Sequence, residues 1–111
     1  METKKNYESD EKTAGFYYDR GLKKLKEREE EVKGDLKMNP HDMNAQMEFD
    51  FFSAFKGTLL SELIKMEDED SIPEENPFED FDDDFRRDYV SDFIIYYEKI
   101  RRYDVVHLLQ G

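Results

Sequence analysis

The sequence predicts an all-α fold, a three-helix antiparallel bundle with long helices and an acidic loop before the third helix. Apolar side chains recur at spacings of three and four over most of the chain, the period of helices packed along one face. Charged residues make up 41% of the 111 residues and hydrophobic residues 37%, which favours amphipathic helices over a multilayered fold. Five glycines and three prolines are too few for a protein built from β-hairpins. We therefore expect one helical domain, residues 10–111.

The first helix is predicted over residues 10–37, after a flexible polar tail formed by residues 1–9. Its apolar seam steps by four and three in turn through Tyr18, Leu22, Leu25, Glu29, Val32 and Leu36. Glu29 interrupts the seam, and we expect the seam to reach solvent there. The alternative is a buried carboxylate paired with a basic residue of another helix, such as Arg101 or Arg102. Three glycines each weaken the helix by about 1 kcal/mol relative to alanine: Gly15, Gly21 and Gly34.

The second helix is predicted over residues 40–66. Asn39 is suited to cap it, Pro40 to occupy its first position and Asp42 to place negative charge in its first turn. One apolar stripe, interrupted at Lys56, comprises Ala45, Phe49, Phe52, Leu59, Leu63 and Met66. A second stripe beside it comprises Met43, Met47, Phe51, Ala54 and Phe55. Two stripes predict two packed neighbours, with the methionines filling the core.

Negative charge is concentrated in residues 67–84, which we call the acidic segment. It contains eleven carboxylates and no Lys or Arg, so it accounts for nearly all of the net charge of −12. Residues 67–75 are predicted to form a loop, because they include Pro73 and have no apolar period.

The third helix is predicted over residues 76–110. Asn76 is suited to cap it, and Glu79 stands three residues later, as in a capping box. Aromatic residues follow at steps of three, four and four, which places them on one face: Phe78, Phe81, Phe85 and Tyr89. The predicted buried side continues through Phe93, Tyr96, Tyr97, Ile100, Tyr103, Val106 and Leu108. At about 50 Å, such a helix is long enough to bend or break part-way.

No pattern in the sequence supports catalysis or a cofactor. His41 and His107 are the two histidines and lack metal-ligand spacing, and there is no cysteine. The acidic runs lack the fixed glycine and glutamate of a calcium loop. A glycine-rich phosphate loop and a nucleophile triad are also missing. We therefore predict that the protein is not an enzyme and uses no metal or cofactor.

Hydropathy and charge also bear on location and partners. The sequence has no run of about 18 to 20 apolar residues and no apolar stretch near its beginning, so we predict a cytoplasmic protein that does not bind membranes. The net charge of −12 opposes direct binding to nucleic acid. A basic protein is therefore the expected partner.

The acidic segment is the candidate binding site for that partner. Carboxylates on successive helical turns recur at about 5.4 Å, the same order as the phosphate spacing along a nucleic-acid strand. Held on one scaffold, they would fit a groove lined by Lys and Arg. The predicted partner-binding residues are Glu67, Asp68, Glu69, Asp70, Glu74, Glu75, Glu79, Asp80, Asp82, Asp83 and Asp84.

In size, acidity and predicted helix content, the chain resembles the DNA-mimicking inhibitors that phages and mobile elements direct at restriction enzymes and CRISPR effectors. The resemblance implies an antirestriction or anti-CRISPR type of protein that occupies the nucleic-acid site of an intracellular nuclease or repressor. It involves no specific motif, so no family residue is assigned to this chain. The alternative is a helical adaptor or homodimer that binds through aromatic faces, such as Tyr17–Tyr18 and Tyr96–Tyr97, with the acidic segment serving solubility alone.

Overall fold

The computed structural model describes the backbone of residues 2–111 and the side chains of residues 13–68 and 70–111. Over this range the protein is all-helical and has no β-strand. Helix α1 spans Glu2–Met38 and helix α2 spans Met43–Lys65. Residues 2–9 continue the backbone of α1, whereas Met1 and the side chains before Thr13 lie outside the described part. The flexible tail of residues 1–9 therefore stays a prediction.

The chain after α2 is divided, which corrects the single helix predicted over residues 76–110. A short 3-10 turn, Glu69–Ser71, is followed by helix α3, residues 83–99. Helix α3 consists of an α-helical turn at Asp83–Phe85, a π-helical segment at Arg86–Val90 and an α-helix at Ser91–Lys99. Helix α4 spans Tyr103–Gln110. The acidic loop is therefore longer than predicted, and the bundle does not consist of three long helices.

The helices predicted to begin after Asn39 and Asn76 begin further along the chain, and each is capped by an aspartate. Asp42 accepts hydrogen bonds from the main-chain N–H groups of Asn44 and Ala45, at 3.1 and 3.2 Å, and so caps α2 in place of Asn39. Asp82 accepts a 2.7 Å hydrogen bond from the N–H of Phe85 and caps α3.

Asn76 does not form the predicted capping box with Glu79. Its side-chain oxygen instead accepts a 2.9 Å hydrogen bond from the N–H of Phe78, which closes a local turn. Turns at residues 76–81 follow, with N–H groups of Glu79 and Phe81 bonded to the carbonyls of Asn76 and Phe78.

The boundary between α3 and α4 is formed by a left-handed residue, Arg101, whose φ is 62°. The N–H of Arg102 bonds to the carbonyl of Tyr97 at 2.8 Å, and that of Arg101 to the carbonyl of Glu98 at 3.1 Å. This pair of bonds is the Schellman arrangement that ends many helices. Because the chain changes direction here, the buried side of α4 consists of Val105, Val106 and Leu109, while Ile100 and Tyr103, predicted to be buried, are exposed.

Helix α1 packs against both α2 and α3. The ring centroid of Tyr18 lies 5.2 Å from that of Phe93 and 4.8 Å from that of Tyr96. Gly21 lies against the ring of Phe93, and a Cβ atom at Gly21 would be only 2.8 Å from that ring. The core comprises Leu25, Phe52, Leu59, Leu63, Met66, Phe78, Phe81, Phe85, Val90, Phe93, Tyr97, Val105, Val106 and Leu109.

The second apolar stripe of α2 is largely exposed, which corrects the prediction of a second packed neighbour along it. Met43, Met47 and Phe51 are 77%, 55% and 60% exposed, and Met38 at the end of α1 is 90% exposed. Of the methionines predicted to fill the core, Met66 does so. The stripe stays uncovered because α3 begins at Asp83 and packs chiefly on α1.

In the described part of the chain, no helix combines the length and apolar character needed to cross a membrane.

Candidate protein-binding surface

Hydrogen bonds of three polar side chains fasten the acidic segment to the helical domain. Arg102 donates hydrogen bonds to the carbonyls of Met66 and Glu67, both at 3.0 Å. The side-chain amide of Asn76 donates to the carbonyl of Leu108 at 3.0 Å, and Arg86 donates to the carbonyl of Phe78 at 2.5 Å. The segment is therefore tied to the helical domain at its beginning and near its middle.

Aromatic side chains anchor the same segment in the core. Phe78 is fully buried, and Phe81 and Phe85 are 5% and 7% exposed. The ring centroid of Phe81 lies 5.4 Å from that of Phe78, 5.0 Å from that of Phe85 and 5.2 Å from that of Phe55 on α2. Burial of such rings favours the folded state by about 1.5 to 3 kcal/mol each.

The carboxylates of the acidic segment point to solvent. All ten that the structure describes are exposed, and the side chain of Glu69 lies outside the described residues. Among the described side chains, the one member of this set in an ion pair is Asp84, 3.3 Å from Arg87, a contact in which both groups are largely exposed. Asp82 is used as a helix cap. Arg86 and Arg102 donate to main-chain carbonyls at this segment, and all ten described carboxylates remain exposed.

The predicted repeat of about 5.4 Å for carboxylates on successive helical turns is wrong for most of the acidic segment. Asp83 and Asp84 lie on α3, but the other predicted partner-binding residues precede it on turns and loop. A 5.4 Å repeat of successive turns therefore does not describe the acidic segment. Glu67 borders a hollow of about 320 Å³ together with Tyr18, Tyr97 and Arg102. Asp82 and Asp84 instead border a different depression.

That depression, which we call the α2–α3 groove, lies between α2 and the first turns of α3 and has a volume of about 440 Å³. Its rim contains five carboxylates and one cation: Glu31, Glu48, Asp82, Asp84, Asp88 and Arg28. Its floor and wall are aromatic: Phe51, Phe52, Phe55, Phe85 and Tyr89. Sequence reasoning missed Glu31, Glu48 and Asp88, because they come from three different helices. The one available signal was the spacing of four between Asp84 and Asp88 on a helix.

Two other charged clusters stabilise the fold. The carboxylate of Glu29 pairs with Lys56 of α2 and lies 3.4 Å from Lys33, and the hydrogen bond from Lys56 lowers its pKa. This confirms the alternative interpretation in part, because Glu29 pairs with a basic residue of another helix; the carboxylate is only partly buried, and its partner is Lys56 instead of Arg101 or Arg102.

The second cluster surrounds Asp92 of α3, which is 2% exposed. Arg20 donates hydrogen bonds of 3.1 and 2.6 Å to one of its oxygens, and the Lys24 ammonium lies 3.1 Å from the other. Burial alone would raise the pKa of Asp92, but the hydrogen bonds and charges of Arg20 and Lys24 outweigh it and hold the pKa below its ordinary value. The cluster joins α1 to α3.

The tyrosine pairs lie largely within the molecule. Tyr97 is buried, and its ring centroid is 4.8 Å from that of Tyr96, which also contacts Tyr18. Tyr17 lies between two cations, 4.9 Å from the Arg20 guanidinium and 5.9 Å from the Lys99 ammonium. These rings join α1 to α3, whereas the exposed aromatic side chains of the described residues include Phe16, Phe51 and Tyr103.

Within the side chains that the structure describes, no cluster of three His, Cys, Asp or Glu residues could hold a metal ion. What the chain does must be inferred from its own residues, since no protein-family model, curated protein or solved structure matches it.

Proposed function

We propose that this protein binds the basic nucleic-acid site of another protein through its acidic segment and inhibits it as a DNA mimic. The observation that supports the proposal is that the described carboxylates of residues 67–84 are exposed while the main chain beneath them is anchored. By this proposal the partner is an intracellular nuclease or repressor. An anti-defence protein of a phage or mobile element would have this chemistry.

Anchoring matters because ordering a flexible acidic chain on binding costs conformational entropy. Fixing one residue's backbone costs about 1 to 2 kcal/mol, so a segment already held by Arg102, Asn76 and Arg86 binds with less loss. The negative charges also repel one another, and a Lys/Arg-lined cleft relieves that repulsion. By this proposal, carboxylates on a fixed backbone substitute for phosphates even without a helical repeat.

A second candidate function is a helical adaptor or homodimer. It is favoured by the exposed stripe of Met43, Met47 and Phe51 on α2. An apolar docking surface of this kind would bind with little dependence on salt. In that case the acidic segment would serve solubility alone.

Two charge-matched variants separate these functions. The first replaces four exposed carboxylates of the acidic segment that take no part in capping or ion pairing: Glu74→Gln, Glu75→Gln, Glu79→Gln and Asp80→Asn. The control replaces four exposed carboxylates of α1: Asp19→Asn, Glu27→Gln, Glu30→Gln and Asp35→Asn. Both variants change the net charge by the same amount, so they differ in the place of the charge and not in its total.

The measurement is capture of host proteins on the immobilised chain, over a salt series and with duplex DNA as competitor. Mimicry predicts that the captured protein binds DNA by itself, that DNA displaces it, and that capture falls steeply as salt rises. It also predicts loss of capture with the first variant and retention with the control. Capture that survives the first variant and high salt would overturn mimicry and favour the adaptor.

A further inference from the structure

We propose that the α2–α3 groove receives an arginine side chain of the basic partner. This inference rests on the proposed function and adds to it the chemistry of one contact. Phosphate mimicry by itself requires exposed negative charge, whereas this groove places aromatic rings beneath its carboxylates. A planar cation with an apolar stem is complementary to both features.

The floor of the groove is a connected set of rings. Phe52 and Phe85 are each 7% exposed and have ring centroids 6.1 Å apart, while the Tyr89 centroid lies 5.2 Å from Phe52 and 5.3 Å from Phe85. Phe51 forms an open wall, stacked on Phe55 with centroids 6.4 Å apart and 60% exposed. A cation placed over such a ring is attracted by its negative face.

The charges at the rim leave an excess of negative charge. Arg28 is the one lining cation, and it already pairs with Glu31, at 3.0 Å, and with Glu48. Asp84 and Asp88 share Arg87, which lies outside the lining and is 71% exposed. A partner's cation therefore enters a site whose own cations cannot neutralise all the carboxylates.

The chemistry favours arginine over lysine. A guanidinium stacks flat on a ring and donates a fork of hydrogen bonds to carboxylates, while an ammonium is compact and more strongly hydrated. The protein already contains this arrangement elsewhere. The Arg20 guanidinium lies 4.9 Å from the Tyr17 ring centroid and 2.6 Å from an oxygen of Asp92.

The test uses the full chain and two short acetylated peptide amides, one with two arginines separated by glycine and the other with two lysines. Binding is followed by two-dimensional amide NMR. We expect the arginine peptide to shift the resonances of the groove residues and to bind about fivefold more tightly than the lysine peptide. Phe51→Ala should remove this preference. Ile64→Ala, which truncates a similarly exposed residue on the same helix, should leave it unchanged.

A rim variant, Asp84→Asn with Asp88→Asn, supplies a second readout that leaves the Asp82 cap in place. It should weaken both peptides, whereas Phe51→Ala weakens chiefly the arginine peptide. Equal binding of the two peptides, or shifts spread over the whole surface, would overturn the inference. All three variants must first show wild-type helicity by circular dichroism.

Failure here is distinguishable from failure of the proposed function. If partner capture requires the acidic segment but the groove shows no preference for arginine, the inference falls and the proposed function stands. If the groove prefers arginine but capture is indifferent to Glu74, Glu75, Glu79 and Asp80, mimicry falls and the groove remains a site for basic peptides.

Discussion

Helix α1 and the acidic segment are both rich in carboxylates, yet their charges are handled in opposite ways. In α1, acidic and basic side chains alternate at helical spacing, and ion pairs join Lys23 to Glu27, Arg28 to Glu31 and Lys33 to Glu29. In the acidic segment, Arg86 and Arg102 donate to main-chain carbonyls, and the ten described carboxylates stay exposed. The comparison teaches that the pairing of surface carboxylates depends on which groups the neighbouring arginines bind as well as on composition.

The two regions also differ in what holds them folded. Exposed ion pairs three or four residues apart stabilise a helix by only about 0.2 to 0.5 kcal/mol each, so α1 depends mainly on its buried seam. The acidic segment has no helix for most of its length, and it depends on buried phenylalanines and on bonds to its carbonyls. Substitutions can therefore separate the anchoring of charge from the charge itself.

The largest expected effect comes from removing an anchor. Phe78→Ala should lower the free energy of unfolding by about 3 to 5 kcal/mol, because Phe78 is fully buried and the cavity cannot collapse fully. Chemical denaturation measures the change. Phe16→Ala is the control, since Phe16 is 57% exposed and its loss should cost far less. Equal losses in the two variants would show that Phe78 does not anchor the acidic segment.

A smaller loss is expected where α1 pairs its charges with α3. Asp92→Asn removes the buried carboxylate between Arg20 and Lys24 and should cost about 2 kcal/mol, less than for a fully buried pair because both cations keep access to water. Denaturation at pH 7 measures this loss. Glu98→Gln, an exposed change on the same helix, is the control.

The same carboxylate predicts a pH dependence. Its pKa in the folded protein is held below the ordinary value of 3.8, so its contribution to stability is fully present above about pH 5 and is lost as the pH falls through the lowered pKa. The stability difference between wild type and Asp92→Asn should therefore be constant near neutral pH and shrink below about pH 4. A difference that grows on acidification would contradict the assigned direction.

Alanine substitutions at two glycines of α1 should change the stability by smaller amounts and in opposite directions. Gly21→Ala should destabilise the protein by about 1 kcal/mol, because the new Cβ atom would lie 2.8 Å from the Phe93 ring and overpacking outweighs the gain in helix propensity. Gly34→Ala meets no atom within 4 Å and should stabilise the helix by about 0.5 to 1 kcal/mol. Thermal unfolding of both variants is the measurement. A stabilising Gly21→Ala would mean that α1 is not packed closely on Phe93.

Spacing alone predicted the interior of α1 and α2. Leu25 and Val32 of the first seam and Leu59 and Leu63 of the second are buried as their spacing indicates. The sequence also contains a signal for one contact between the helices. The two seams are interrupted by residues of opposite charge, Glu29 and Lys56, and these two side chains form an ion pair.

The residues at which helices begin and end could not be predicted from apolar spacing. The break between α3 and α4 occurs at Arg101, whereas such a left-handed position usually contains glycine, so the sequence has no marker for it. Asn76 was the predicted cap, but a tertiary hydrogen bond from its side-chain amide to the carbonyl of Leu108 favours its use in a turn. The α2–α3 groove likewise depends on contacts among three helices, which a period along one chain does not report.

The smallest predicted effect compares the charges of the two regions directly. Neutralising Glu74, Glu75, Glu79 and Asp80 should raise the melting temperature by about 1 to 3 °C at low salt, because these carboxylates repel one another without a partner. The matched α1 variant at Asp19, Glu27, Glu30 and Asp35 should show no rise, since α1 contains compensating cations such as Lys23. At about 0.5 M salt the gain should vanish, because screening acts within a few ångströms. Equal shifts in both variants would mean that the carboxylates of the acidic segment repel one another no more than those of an ordinary helix surface. Relief of that repulsion would then contribute nothing to the binding of a basic partner.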